Sequence, residues 1–192
     1  MGAVMAGGRG SRMGSPKTTL ELCGRPLIEY PLEALERAGI ESVVVAKRNT
    51  PLPDLSVPVW YERDEPFHPS VGIVTALQRT PSETMIVVGC DMPLVAPEFL
   101  SYLATLPDAI AVPFIDGLYH PLLARYPRVI ATAFAFGLGN DLPLQRVVSD
   151  LGPFALGEHE LEPFGDPERL LLNVNTPEDL ARAEELLRVE TG

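Results

Sequence analysis

Ser42–Ala46 (SVVVA) and Thr84–Gly89 (TMIVVG) are short apolar runs, rich in β-branched residues and without polar alternation. A strand with one wet face alternates apolar and polar residues. An unbroken run needs both faces covered, the condition of a strand inside a parallel sheet. Gly2–Ala6 reads as a third such strand, and Val57–Tyr61, Ala109–Phe114 and Leu170–Val174 as further ones. Between them, Pro26–Ala38, Val71–Arg79, Pro97–Leu106, Pro143–Leu151 and Pro177–Val189 carry apolar residues at helical spacing. The first of these helices ends at Gly39, a natural C-terminal stop, and Pro31 either kinks it or marks its first turn. Leu118–Tyr126 fits a strand running antiparallel to the rest. Alternating strands and helices predict an α/β fold with a mostly parallel sheet and at least one antiparallel strand. No repeat, low-complexity tract or long linker divides the chain, so residues 1–192 are expected to form one domain. In such sheets ligands bind beyond the carboxyl ends of the strands.

The charge narrows the ligands. With 15 basic and 26 acidic residues the chain carries a formal −11, which argues against a general nucleic-acid binder but leaves room for a small phosphate site. Lys17 and Lys47 are the only lysines, the other basic residues being arginines. Arginine suits forked recognition, whereas lysine is a compact point charge, so each lysine is either a chemical choice or drift in composition. Cys23 and Cys90 are far apart and make neither a disulfide framework nor a zinc cluster, and His68, His120 and His159 lack ligand spacing. No apolar run has membrane-spanning length and the start lacks the basic region of a signal peptide. A soluble, cytoplasmic protein is expected.

The loop after the first strand reads Gly7-Gly8-Arg9-Gly10-Ser11-Arg12-Met13-Gly14-Ser15-Pro16-Lys17. Glycines let a backbone approach a triphosphate and aim N–H groups at it. Arg9, Arg12 and Lys17 add cations able to neutralise a departing pyrophosphate. The spacing is neither that of a P-loop nor that of a dinucleotide fingerprint. The other reading is a basic surface turn; the position after the first strand favours phosphate.

Two later segments offer metal ligands. Asp91, in Gly89-Cys90-Asp91-Met92-Pro93-Leu94, stands at the end of an apolar strand. It is either an oxygen ligand for Mg²⁺, which binds through one or two carboxylates and substrate phosphates, or a turn or cap residue. In Asn173-Val174-Asn175-Thr176-Pro177-Glu178-Asp179, Thr176 is a good N-cap with Pro177 at the first helical position and Asp179 at the third. Capping does not account for the two asparagines, whose amide oxygens can reach a metal. His120-Pro121 follows Asp116-Gly117, a tight-turn pair, and a partly buried structural histidine there is one reading.

Ala6-Gly7-Gly8-x-Gly10-x-Arg12-Met13-Gly14-x-x-Lys17, with Leu20 and Gly24-Arg25-Pro26-Leu27-Ile28, resembles the opening of the nucleotidyltransferases that activate sugars and cofactors. Within them the chain is most similar to the molybdenum cofactor guanylyltransferases of the MobA type. Cys90-Asp91-Met92-Pro93 matches that family's metal segment, Asn173 to Pro177 resembles its Asn-x-Asn-Thr-Pro motif, and His120-Pro121 a His-Pro segment on the acceptor side. The resemblance implies a Rossmann-like three-layer α/β/α fold of the nucleotide-diphospho-sugar transferase type. It also implies Mg²⁺-dependent, in-line transfer of GMP from GTP to molybdopterin, with release of pyrophosphate. Arg12, Lys17 and Asp91 would be catalytic. Met5, Ala6, Gly7, Gly8, Arg9, Gly10, Lys17, Glu62 and Asp91 would bind nucleotide, Asp91 and Asn175 the metal, and His120 and Pro121 the acceptor. Recipient molybdoenzymes are implied as transient partners.

Two patches depart from the family. Its asparagine after the second strand is shifted or replaced in Ala46-Lys47-Arg48-Asn49. Its Asp and Gly-Pro-Leu-x-Gly become Glu62-Arg63-Asp64-Glu65-Pro66-Phe67-His68-Pro69-Ser70-Val71-Gly72, leaving Glu62 and Asp64 as rivals for the acidic role. The alternatives are a cytidylyltransferase for the same pterin, a guanylyltransferase for a cobalamin precursor (cobinamide phosphate), or a nucleotide-binding regulator without turnover.

Overall fold

β1 (Gly2–Met5) is buried at every position and sits between two other continuous apolar strands. The computed structural model describes residues 1–7, 16–107 and 109–190. After β1 come a short hairpin of β2 (Glu21–Leu22) and β3 (Arg25–Pro26), then α1 (Glu29–Arg37), β4 (Ser42–Ala46), β5 (Val59–Tyr61), α2 (Pro69–Arg79), β6 (Thr84–Gly89) and α3 (Pro97–Thr105). The chain continues with β7 (Ala111–Ile115), β8 (Leu118–Tyr119), β9 (Leu123–Pro127), α4 (Ala131–Gly139), α5 (Leu144–Asp150), β10 (Phe154–Leu156), α6 (Glu158–Leu161), α7 (Pro167–Leu170) and α8 (Pro177–Glu190).

The strand order is β10-β7-β9-β6-β1-β4-β5, with β8 paired to β7. β5, β4, β1 and β6 are mutually parallel, as are β7 and β10, while β9 runs antiparallel to β6 and β7. Side chains alternate across this sheet. Val4, Val44, Ile86 and Val88 enter one core with residues of α1, α3, α6 and α7. Ala3, Met5, Val43, Val45, Met85 and Val87 enter the other with α2, α4 and α5. That is the three-layer α/β/α arrangement expected from the unbroken apolar runs. A third cluster joins Leu22 and Leu27 of the hairpin region to Leu172, Val174 and Ala183, bringing α8 back to the beginning of the chain.

The central strands and their helices match the expected segments to within a few residues, and several details differ. α1 begins at Glu29 rather than Pro26, which belongs to β3; Pro31 lies in its first turn, where a missing N–H costs little. Leu118–Tyr126 divides into two strands, both antiparallel to their neighbours. The expected strand Leu170–Val174 does not form. Leu170 ends α7, and Leu170, Leu171, Leu172 and Val174 are buried without a ladder, the amide of Val174 donating instead to the carbonyl of Asp91 at 2.8 Å. An apolar run reports burial, and burial alone does not select a strand. The β2–β3 hairpin, α4, β10, α6 and α7 fall outside the expected elements; α4 (ATAFAFGLG) is apolar almost all round and shows little helical periodicity.

Candidate active site

Four parallel strands deliver their carboxyl ends to one place. The amide of Ala6 donates to Val45 O (2.8 Å), that of Cys90 to Met5 O (3.1 Å), and that of Glu62 to Ala46 O (2.9 Å). The segments following β1, β4, β5 and β6 are thereby tied edge to edge. Between them lies a cavity of about 620 Å³, walled by Met5, Ala6 and Gly7, by Pro16 to Thr18, by Lys47 and Asn49 to Pro51, by Glu62, by Phe67 to Pro69 with Gly72, by Cys90 and Asp91, and by Leu122. Its size and its place beyond the strand ends suit a nucleotide.

Lys17 organises one side. Its Nζ donates to Asp91 Oδ2 and to Asn175 Oδ1, each at 2.6 Å, and both Lys17 and Asp91 side chains are 16% exposed. Asn175 is held from behind: Asp179 Oδ2 accepts from the amides of Asn175 (2.9 Å) and Thr176 (2.8 Å), while the amide of Asp179 donates to Thr176 Oγ1 (3.2 Å). The last two bonds make a reciprocal cap for α8. Desolvation pushes the Asp179 carboxyl up, but the two backbone amides and the Thr176 hydroxyl outweigh it and the net shift is downward. The capping reading is met, since Thr176 and Asp179 cap the helix; Asn175 points its amide oxygen at the Lys17 ammonium, beside Asp91.

Glu62 occupies the opposite wall. Its side chain is 6% exposed and lies against two glycines: a β-carbon on Gly72 would stand 2.8 Å from Oε2, and one on Gly7 would overlap Oε1. Desolvation raises the Glu62 carboxyl above its ordinary value, Lys47 opposes this, and Asp64 adds to it. Asp64 itself is exposed. Of the two acidic rivals, Glu62 is the one that lines the cavity.

The altered middle segment has a local explanation. His68 is the N-cap of α2, its Nδ1 accepting from the amide of Ser70 at 3.1 Å, with Pro69 following at the first helical position. A capping side chain stands where the family carries glycine. Asn49, shifted relative to the family's asparagine, still reaches the cavity wall.

The remaining expected residues separate. Gly8, Arg9, Gly10 and Arg12 lie outside the described residues. His120 and Pro121 are not among the cavity-lining residues, although Leu122 is. Asp116 and Gly117, both at positive φ, form the two-residue turn between β7 and β8. The His120 amide donates to Pro113 O at 2.9 Å. Burial lowers the His120 pKa, partly offset by Asp116, so the imidazole is neutral at pH 7. Thr18, Thr50, Pro51 and Phe67 line the cavity without having been singled out. Thr18 Oγ1 donates to Pro51 O, closing the wall between two loops. No short motif marks that pairing, which joins segments 33 positions apart. Cys90 is buried, and desolvation pushes its thiol upward, away from the thiolate form that a nucleophile needs.

Residues 2–151 match the MobA-like NTP transferase domain. Over 196 residues the chain is 33% identical to the molybdenum cofactor guanylyltransferase of Cereibacter sphaeroides, covering 97% of this chain and 96% of that one. It is 32% identical over 197 residues to the probable molybdenum cofactor guanylyltransferase of Natronomonas pharaonis, covering 97% of each. Molybdopterin-guanine dinucleotide biosynthesis protein A from Archaeoglobus fulgidus superposes with a TM-score of 0.81 at 27% identity, over 98% of both chains. With a parallel sheet whose strand ends frame a nucleotide-sized cavity and a lysine, aspartate and asparagine gathered at its edge, the chain belongs to the family of MobA-like NTP transferases.

Proposed function

We propose that the protein transfers GMP from GTP to molybdopterin, giving molybdopterin guanine dinucleotide and pyrophosphate. The observation that carries this reading is the convergence of Lys17, Asp91 and Asn175 on one point at the cavity edge, from segments far apart in sequence. The full-length similarity to proteins named for this activity supports it.

A divalent cation fits the donor set. A carboxylate oxygen and an amide oxygen already meet at a single positive atom, the Lys17 ammonium, and both are hard oxygen donors. Mg²⁺ takes such oxygen donors and completes its shell with phosphate and water. Asp91 and Asn175 would hold the ion. When bound, it would neutralise charge on the α-phosphate during in-line attack.

The protein's own residues do the rest. The backbone of Ala6 and Gly7 forms the floor on which the nucleotide lies, and the absent side chain of Gly7 leaves room for Glu62. Glu62 in its ionised form is purely an acceptor, matched to the paired N–H donors on the guanine edge. Lys17, with Arg12 from the preceding stretch of sequence, neutralises the pyrophosphate as the bond to the α-phosphorus breaks. The terminal phosphate of molybdopterin is the nucleophile and attacks on the side opposite pyrophosphate, with His120 and Pro121 on the acceptor side. His120 serves there as a hydrogen-bonding group, because the attacking phosphate is already anionic and needs no base.

We read residues 1–192 as one domain, because α8 packs back onto Leu22 and Leu27 and delivers Asn175 to the site. A cytoplasmic location and molybdoenzymes as transient recipients belong to the same proposal; no helix among the described residues is long and apolar enough to cross a membrane. The decisive experiment is pyrophosphate release with Mg²⁺ and molybdopterin, supplying GTP, CTP, ATP and UTP separately. Release with GTP alone is expected. Release with CTP would move the protein to the cytidylyl reaction, and binding without release would leave a regulator.

A further inference from the structure

Lys47 follows directly on β4 and is 4% exposed, an unusual place for an ammonium. Its Nζ donates to the carbonyls of Arg63 and Asp64, each at 2.8 Å, and stands 3.5 Å from Glu62 Oε1. It also lies 4.5 Å from the centre of the Phe67 ring, within cation–π range. An ammonium has three N–H donors. Two of them go to the carbonyls and the charge is paired with the Glu62 carboxylate, so the ammonium, although it borders the cavity, is directed at the protein. Every one of these partners belongs to residues 62–67, the segment joining β5 to α2, and Glu62 and Phe67 line the cavity.

We propose, on the reading of this cavity as the nucleotide site, that Lys47 is a positioning residue that clamps the 62–67 segment and keeps the Glu62 carboxylate at the nucleobase wall. Burial without a partner would drive Glu62 towards its neutral form, which donates as well as accepts and no longer discriminates for two ligand donors. Asp64 works in the same direction as burial; Lys47 is the cation that opposes both. Besides Lys47 and Glu62, the ionisable groups lining the same cavity are Lys17, His68, Cys90 and Asp91, and Lys17 is engaged by Asp91 and Asn175. Lysine suits the post, since a compact ammonium can serve three acceptors in three directions where a planar guanidinium cannot. One of only two lysines in the chain is thereby explained.

The test is the titration of the Glu62 side-chain carboxyl by ¹³C NMR in the nucleotide-free protein, its resonance identified by loss in Glu62→Gln, together with GTP binding by calorimetry. In Lys47→Met the Glu62 midpoint is expected to rise by about one pH unit or more, and GTP affinity to fall about tenfold as the wall loses its preorganisation. Lys47→Arg, which keeps the charge, is expected to return the midpoint close to that of the wild type. Lys47→Gln carries the same test in an uncharged side chain that still donates hydrogen bonds, should the methionine variant fail to fold. An unchanged midpoint in the neutral variants overturns the proposal, as does equal loss of GTP binding in Met and Arg variants with no movement of Glu62, which would mark plain packing. A shifted midpoint in a protein that binds CTP and not GTP would uphold Lys47 and remove the guanylyl reading instead.

Discussion

The ammonium of Lys17 lies 2.6 Å from Oδ2 of Asp91, a pairing across 74 positions of sequence, and it is equally close to Asn175 Oδ1. One cation thus holds together the loop after β1, the end of β6 and the turn before α8. In this arrangement Lys17 occupies the point on which the two oxygens converge, so on the proposed function a metal held by Asp91 and Asn175 would displace Lys17 towards the phosphates.

Lys17→Met removes the cation proposed to neutralise the departing pyrophosphate and frees the two oxygens. Turnover is expected to fall about 100- to 1,000-fold, while Mn²⁺ binding to the nucleotide-free protein, followed by EPR, is retained or tightened. Weaker Mn²⁺ binding would show that Lys17 does not compete for the oxygens.

Asp91→Ala is expected to abolish pyrophosphate release while the protein stays folded, since the side chain lies at the cavity edge rather than in either core. Near-normal turnover in a variant with an unaltered melting curve would remove Asp91 from the metal shell.

Gly89→Ala tests how tightly the carboxylate is placed. An added β-carbon would stand 2.5 Å from Asp91 Oδ1 and 3.4 Å from Met92 Cγ, so the carboxylate must move. A displacement of about 1 Å in a reacting constellation costs about 100-fold in rate. The expected signature is a fall in kcat with a small change in nucleotide affinity, measured by steady-state kinetics and calorimetry.

Glu62→Gln addresses the base. A site built to accept from two ligand donors loses most when its carboxylate becomes an amide. GTP affinity is expected to fall about tenfold or more, and the preference for GTP over ITP, which lacks the 2-amino donor, to shrink towards parity. An unchanged GTP-to-ITP ratio would assign Glu62 to another part of the nucleotide.

Asp179 supplies the pH dependence. Its carboxyl is lowered in the folded state, so the stability it contributes is complete above the ordinary carboxylate value and is lost as pH falls through the lowered one. Asp179→Asn is expected to cost about 1 kcal/mol at pH 7, the usual value of a helix cap. Its melting curve should converge on that of the wild type well below about pH 4. A constant gap across that range would mean the carboxylate charge has no part in the cap.

The candidate site was legible where its residues sit in short local patterns. The strand-to-loop transitions at Ala6-Gly7 and Cys90-Asp91, and the Asn-x-Asn-Thr-Pro segment, each mark a carboxyl end or a cap within a few residues. The wall formed by Thr18, Thr50, Pro51 and Phe67 was not legible, because its pairing across loops leaves no periodic or compositional trace. The Leu170–Val174 run reads as a strand for the reason Ser42–Ala46 does; one found sheet neighbours and the other found α8 and the hairpin.

The central strands with the helices between them, the mostly parallel sheet and the segments proposed to carry chemistry were determined by the sequence itself, because apolar period, glycine and capping residues act over a few positions. The tertiary structure alone decided that Lys17 meets Asn175, that Glu62 rather than Asp64 faces the cavity, and that Lys47 is buried to hold it. Those outcomes depend on which distant surfaces pack together and which charges that packing strips of water, and desolvation has no signature in a linear string of residues.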